Sequence, residues 1–222
     1  MQHRVTFAAF AIVLACTASA AAASRVYSNG RGILFEHDGT VRQLTRSRHD
    51  RDPALSPGGT VVVYTRQGDS RDNEWCTNAP RPDELREVNI DGTGDKLLLS
   101  GRKGGPQQQL CDFAGKQFSS DGRRLYFLTP GWATSGALHI YDMRTGEERF
   151  LLPANGLLVL SFCPNAYKDD LVIQSHRYFV FGGSYDWYWL YDPTGKKELG
   201  PLGEFDSPDA VVKEAREDWC HP

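Results

Sequence analysis

Apart from His3, the histidines His37, His49, His139, His176 and His221 are the side chains best suited to proton or metal chemistry near neutral pH. None follows another at the His-x-x-x-His interval that sets two imidazoles on one helix face around a metal. His37-Asp38 is a turn, His139 alternates with Tyr141 along an apolar run, and His49-Asp50 lies in the polar stretch RSRHDRDP. Each reads as a structural histidine satisfied by a local hydrogen bond. Ser184 follows two glycines in GGSYD, but the Gly-x-Ser-x-Gly order and the helix behind it are missing, so it reads as a turn residue. Neither a phosphate-cradling Gly-x-x-x-x-Gly-Lys-Ser/Thr loop nor a dinucleotide fingerprint occurs. DSRDNE (69–74) offers many oxygen ligands without the spacing of a calcium loop, and reads as a solvated loop. No cofactor is expected.

These residues hang on strands. Turns at Asp38-Gly39, Asp91-Gly92, Thr145-Gly146 and Thr194-Gly195 recur 53, 54 and 49 residues apart. Each follows an apolar or alternating run: GILFEH, ELREVNI, ALHIYDM and YDWYWLY. A short strand such as VRQLT, DKLLL or ERFLL comes after it. Glycine supplies the positive φ that joins two antiparallel strands with the correct twist, so these are outer hairpins. A second set of turns, SPGG (56–59) and SSDG (119–122), leads into TVVVYTR and RRLYFLT. Residues 161–176 look like a third copy with an enlarged turn. Val61–Tyr64 is apolar on both faces, as a strand is when its sheet is sandwiched between neighbours. Four-stranded antiparallel units repeated at a fixed period predict an all-β fold, a small β-propeller of about four blades.

The order Ser-Pro-Gly-Gly, apolar strand, LREVNIDGTG or LHIYDMRTG, then a strand ending in leucine resembles the WD-like repeats of TolB-type β-propellers of exported bacterial proteins. The resemblance covers about residues 31–203, and three full units plus an N-terminal half are countable. The blade regions fall at about 25–45, 54–100, 114–152 and 157–203. TolB-type propellers usually carry six or more blades, so a ring that closes imperfectly is expected, with an open stacked β-meander arc as the alternative. SPDAVVKEAREDW (207–219) predicts a short C-terminal helix, with Ser207 as N-cap and Pro208 at the first helical position.

Four cysteines lie beyond Cys16: Cys76, Cys111, Cys163 and Cys220. An even number in an exported chain reads as two disulfides, and counting alone leaves three pairings open. With the strands of each blade labelled a to d outward from the axis, the b–c and d–a connections share one rim. Cys76 lies in the b–c insert of the second blade and Cys111 in its d–a connection. This predicts Cys76–Cys111, leaving Cys163–Cys220 to pin the tail. Asp72, Trp75, Arg102, Lys103, Gln107, Gln109 and Trp132 converge on the same rim, and aromatics and arginine among polar groups suit a recognition surface. On YDWYWLY, the side chains of Tyr185, Trp187, Trp189 and Tyr191 share one face and those of Tyr188 and Leu190 the other. Blade-to-blade packing is the reading for these aromatics, a sugar- or peptide-stacking platform its rival.

Residues 1–23 read as a secretory signal peptide: a basic start, an apolar core and small residues in Ala-x-Ala order. A lipoprotein signal with Cys16 as the lipidated residue is the second reading. No later run approaches the length of a spanning helix. Residues 24–222 then form one periplasmic or secreted domain. Net charge is −3 over the whole chain, without a basic stripe, which argues against a nucleic-acid partner. The function expected is a non-catalytic binding or scaffold module. The resemblance implies cell-envelope proteins as partners, with a glycan as a further ligand. The alternatives are a glycan-acting or other hydrolytic enzyme using Asp69, Asp72 or Glu74, and a degenerate propeller with little activity.

Overall fold

The computed structural model describes residues 24–69, 76 and 81–221. The leader lies outside the described residues, as do Asp72, Glu74 and Trp75. Among the described residues fifteen strands form four antiparallel sheets, each a simple meander in chain order. Blade 1 holds β1 (Arg25–Ser28), β2 (Ile33–His37) and β3 (Thr40–Gln43). Blade 2 holds β4 (Asp50–Leu55), β5 (Val61–Arg66), β6 (Glu84–Asn89) and β7 (Lys96–Ser100). Blade 3 is β8 (Ala114–Phe118), β9 (Arg124–Thr129), β10 (Gly136–Asp142) and β11 (Glu148–Ala154). Blade 4 is β12 (Gly156–Val159), β13 (Leu171–Tyr178), β14 (Ser184–Tyr191) and β15 (Glu198–Gly203). The first unit therefore has one strand more than the half-blade expected. RVYS pairs with β2 from Arg25 opposite Glu36 to Ser28 opposite Ile33, and the run was too short to read as a strand by pattern.

The innermost strands follow one another around the axis: β1 packs on β4, β4 on β8 and β8 on β12. Among the described residues β12 and β1 make no comparable contact, so the four-bladed propeller is open between blades 4 and 1. Each pair of neighbouring blades closes over its own apolar core. Ile33, Val62, Tyr64 and Val88 fill the space between blades 1 and 2. Val63, Leu85, Phe113, Leu125 and Phe127 fill that between blades 2 and 3, and Tyr126, Leu138, Ile173, Trp189 and Tyr191 that between blades 3 and 4. The two-faced apolar strands of the sequence are the central ones, β5, β9, β10 and β13, as burial on both sides requires.

The innermost strands β4 and β8 each carry a bulge, at Asp52 (φ 48°) and Gly115 (φ 59°). A bulge re-aims the side chains beside it. Here it brings the fully buried Lys116 Nζ to 2.6 Å from Asp52 Oδ2, 2.8 Å from Thr65 Oγ1 and 2.5 Å from the Phe113 carbonyl. All three ammonium protons are thereby used, and blade 2 is tied to blade 3.

Helix α1 (Pro208–Glu214) begins at Ser207, whose Oγ accepts the Ala210 N–H at 3.2 Å, and continues into a π-helical turn, Ala215–Trp219. Val211 and Ala215 are buried against Leu160, Val172 and Tyr188 of blade 4. The helix thus covers the face of blade 4 turned away from blade 3. Disulfides join Cys76 to Cys111 and Cys163 to Cys220, with Cα atoms 5.3 and 4.6 Å apart. The closed loops of 35 and 57 residues each restrict the unfolded chain by about 4 kcal/mol in the chain-entropy treatment. Among the described residues no helix is long and apolar enough to cross a membrane.

Candidate recognition rim

Strand alternation puts the 44–49, 67–83, 101–113, 130–135 and 179–183 connections on one rim. Hydrogen bonds knit those of blades 2 and 3 together. Asp83 is the clasp: one carboxylate oxygen accepts from Gly68 N–H and the other from Asp112 N–H, both at 2.8 Å. Cys76–Cys111 reinforces the same junction. Arg102 and Leu110 exchange both backbone hydrogen bonds at 2.9 Å, closing 103–109 into a compact loop. The Gln109 side chain is buried and donates to the Pro130 carbonyl at 2.7 Å.

Beneath this loop runs a polar chain. Arg102 Nη2 lies 2.6 Å from Glu148, Glu148 lies 2.6 Å from His139 Nδ1, and His139 Nε2 is 3.1 Å from Thr129 Oγ1. His139 is fully buried and Glu148 nearly so. Burial alone would raise the Glu148 pKa, but the hydrogen bonds from His139 and Arg102 outweigh it and hold the carboxyl below its usual range. Such a chain fixes the Arg102 guanidinium, whose Nε also donates to the Gln108 carbonyl at 2.8 Å.

The residues expected on the rim therefore separate. Arg102, Lys103 and Gln107 are exposed on the closed loop, and Trp132 is half-buried on the neighbouring connection with its ring 5.9 Å from Phe150. Gln109 is turned inward and holds the loop, so its amide does not face solvent. Asp72 and Trp75 lie outside the described residues. Asp69 sits on the insert 2.6 Å from Arg81 Nε, which neutralises it.

A further part of this rim escaped the sequence reading. The hairpin of β13 and β14 ends in Tyr178-Phe179-Val180-Phe181-Gly182-Gly183. Phe179 N–H donates to the Gly183 carbonyl at 3.1 Å, and Gly182 N–H to the Phe179 carbonyl at 3.2 Å. Gly182 and Gly183 take φ of 99° and 87°, which residues with a Cβ rarely adopt. Tyr178, Phe179, Val180 and Phe181 are 67, 52, 93 and 101 % exposed. The available signal was an apolar quartet at a b–c turn, where blade 2 has polar residues.

Behind the tip an aromatic file runs inward. Phe179 and Tyr185 have ring centres 4.6 Å apart, Tyr185 and Trp187 4.9 Å, and Trp187 and Trp189 6.5 Å. Tyr185, Trp187, Trp189 and Tyr191 face blade 3, while Tyr188 and Leu190 face α1, so the strand is packing material along its inner half. Arg177 lies 3.5 Å over the Trp189 ring and pairs with Glu198 at 2.5 Å. On the other face His176 pairs with Asp186 at 2.9 Å.

On the opposite rim, among the described residues, turn hydrogen bonds hold several aspartates low, and one acid is shifted the other way. Burial, then the charges of Asp192 and Asp169, push the Asp170 carboxyl up to about 6. Asp169 accepts both the N–H and the hydroxyl of Ser120, at 2.6 and 2.8 Å, linking the SSDG turn to blade 4. Among the described residues no group of three or more histidines, cysteines and acids could hold a metal.

No family model and no curated protein matches this chain. Solved structures do. A protein described as a TolB from Agrobacterium tumefaciens superposes with a TM-score of 0.50 at 18% identity, over 84% of this chain and 64% of that one. The β-propeller domain of the Trilobed protease from Pyrococcus furiosus gives 0.50 at 13%, over 78% and 48%. Oligogalacturonate lyase from Vibrio parahaemolyticus gives 0.51 at 11%, over 79% and 43%. The chain has the β-propeller fold, and it spans less than two-thirds of the length of each of these proteins.

Proposed function

We propose that this chain is an exported, non-catalytic binding module of TolB-like character that recognises a cell-envelope protein on the rim of blades 2 and 3. One observation carries the reading: that rim is organised before any partner arrives. The disulfide, the Asp83 clasp and the Arg102–Glu148–His139–Thr129 chain hold a loop whose outward groups are Arg102, Lys103 and Gln107 beside Trp132. Rigid presentation of a cation, amides and an indole lowers the ordering cost of association. Two disulfides fit an oxidising compartment, as the signal-like leader does. The hydrolytic alternative is less well supported, because Asp69 is paired with Arg81.

The test is capture from a cell-envelope extract by the mature chain with both disulfides intact. Lys103→Glu combined with Gln107→Ala should lower recovery of the captured protein at least tenfold without moving the melting temperature. Equal recovery by parent and variant would refute the rim assignment. Turnover of a glycan panel by both would favour the enzyme.

A further inference from the structure

Val180 and Phe181 stand at the apex of the β13–β14 hairpin with essentially all their surface in water, and Tyr178 and Phe179 stand just behind. Counting about 150–250 Å² for each aromatic side chain, the four expose on the order of 500–600 Å². That is the upper end of what a monomer leaves bare without a use for it. The patch is convex, at the tip of strands of eight residues, longer than the six of β9 and the seven of β10 beside them.

We infer that this hairpin tip inserts into a lipid surface. The side chains are ordered by depth as a bilayer interface orders them. Apolar Val180 and Phe181 lead, Phe179 and the amphipathic rings of Tyr178 and Tyr185 follow, and the first ionisable groups stand at the level of Tyr185 and below it, Arg177 opposite Tyr185 and His176 opposite Asp186. Tyrosine and tryptophan favour the headgroup level, where one end of the ring is dry and the other wet. Residues 178–185 include no Asp, Glu, Lys, Arg or His, and below them Arg177 pairs with Glu198 while His176 and Asp186 share a hydrogen bond. The tip therefore meets a zwitterionic headgroup layer with no net charge of its own, and neither strong attraction to nor repulsion from anionic lipid is built in. A second copy is a poor occupant. Two tips meeting would bury roughly 1,000–1,200 Å² at most, no more than the lower edge of a stable interface, and two convex surfaces cannot bury all of it.

Lipid binding does not depend on the protein-recognition reading of blades 2 and 3, since none of the residues named for that surface lies on this hairpin. The experiment is flotation of the disulfide-intact mature chain with phosphatidylcholine vesicles, and with vesicles that also contain phosphatidylglycerol. The parent should float with both, and raised salt should leave the bound fraction unchanged. Val180→Ser with Phe181→Ser should weaken binding at least tenfold with an unchanged melting temperature. Phe181→Trp should retain binding, and brominated acyl chains should quench its added fluorescence relative to the parent. Failure of the parent to float, serine-variant binding equal to the parent's, or binding that needs phosphatidylglycerol and vanishes in salt would each overturn the inference. In the first case a proteinaceous pocket becomes the occupant to seek.

Discussion

Asp170 is a residue whose role follows from its surroundings more than from its type. Nothing in KDDL separates it from the aspartate before it, yet Asp169 is spent on Ser120 while Asp170 is buried between two other carboxylates. Its carboxyl is raised to about 6, against about 3.9 in an unfolded chain. Between those values the folded protein holds a proton that the unfolded chain releases. Its contribution to stability is therefore greatest below about pH 4 and falls until about pH 6. Asp170→Asn should remove this slope. Measured by urea unfolding, the variant should gain on the parent steadily from pH 4 to 6 and keep a constant advantage above that. A constant difference across the whole range would show that the burial acts on some other group. The contrast with Gln109 makes the same point about reading residues one at a time. Composition and loop position put Gln109 on the rim, whereas its one side-chain bond to Pro130 turns it inward. Partners decide, and partners are tertiary.

Elements were far easier to read, because a strand or a turn advertises itself through local geometry. The Gly-bearing corners at Gly39, Gly92, Gly146 and Gly195 all take positive φ, and each joins the two strands expected on either side of it. Ser207 and Pro208 marked the helix start for equally local reasons. What α1 rests on could not be read, since Val211 and Ala215 are ordinary residues until blade 4 presents Leu160, Val172 and Tyr188 to them. Among the described residues α1 is what covers those side chains on that face. Val211→Asp would place a carboxylate where 1% of the residue is exposed, with no partner among the packed residues. The expected cost is about 2–4 kcal/mol. It should appear in urea unfolding together with new binding of a hydrophobic dye, because the outer face of blade 4 is uncovered while Cys163–Cys220 still tethers the tail. A melt that loses stability without dye binding would mean the helix stays seated.

At the scale of the whole molecule the open side is the governing fact, and the two ends of the arc meet it differently. Blade 4 hides its free face under a helix. Blade 1 instead makes its free face polar: Arg25 and Glu36 pair across β1 and β2 at 2.7 Å, and Arg25 lies 5.3 Å over Tyr27. Val26, Ile33 and Phe35 point the other way, toward blade 2. A chain of units that each touch only their neighbours gains stability one interface at a time. Blade 1 has one interface and three short strands, whereas blades 2 and 3 have two interfaces each. Blade 4 has its interface with blade 3, its helix and a disulfide. Hydrogen exchange should therefore be graded along the chain, with the amides of β2 exchanging roughly a hundredfold faster than those of β5, β9 and β13, by local opening of the first blade. Arg25→Ala should leave that grading intact, since it loosens only the free face. A closed ring would give each blade two neighbours and bring the four close to uniform protection. Equal exchange in β2 and β9 would thus mean that blades 1 and 4 meet in solution, and the free faces described for both ends would have to be assigned to a shared interface.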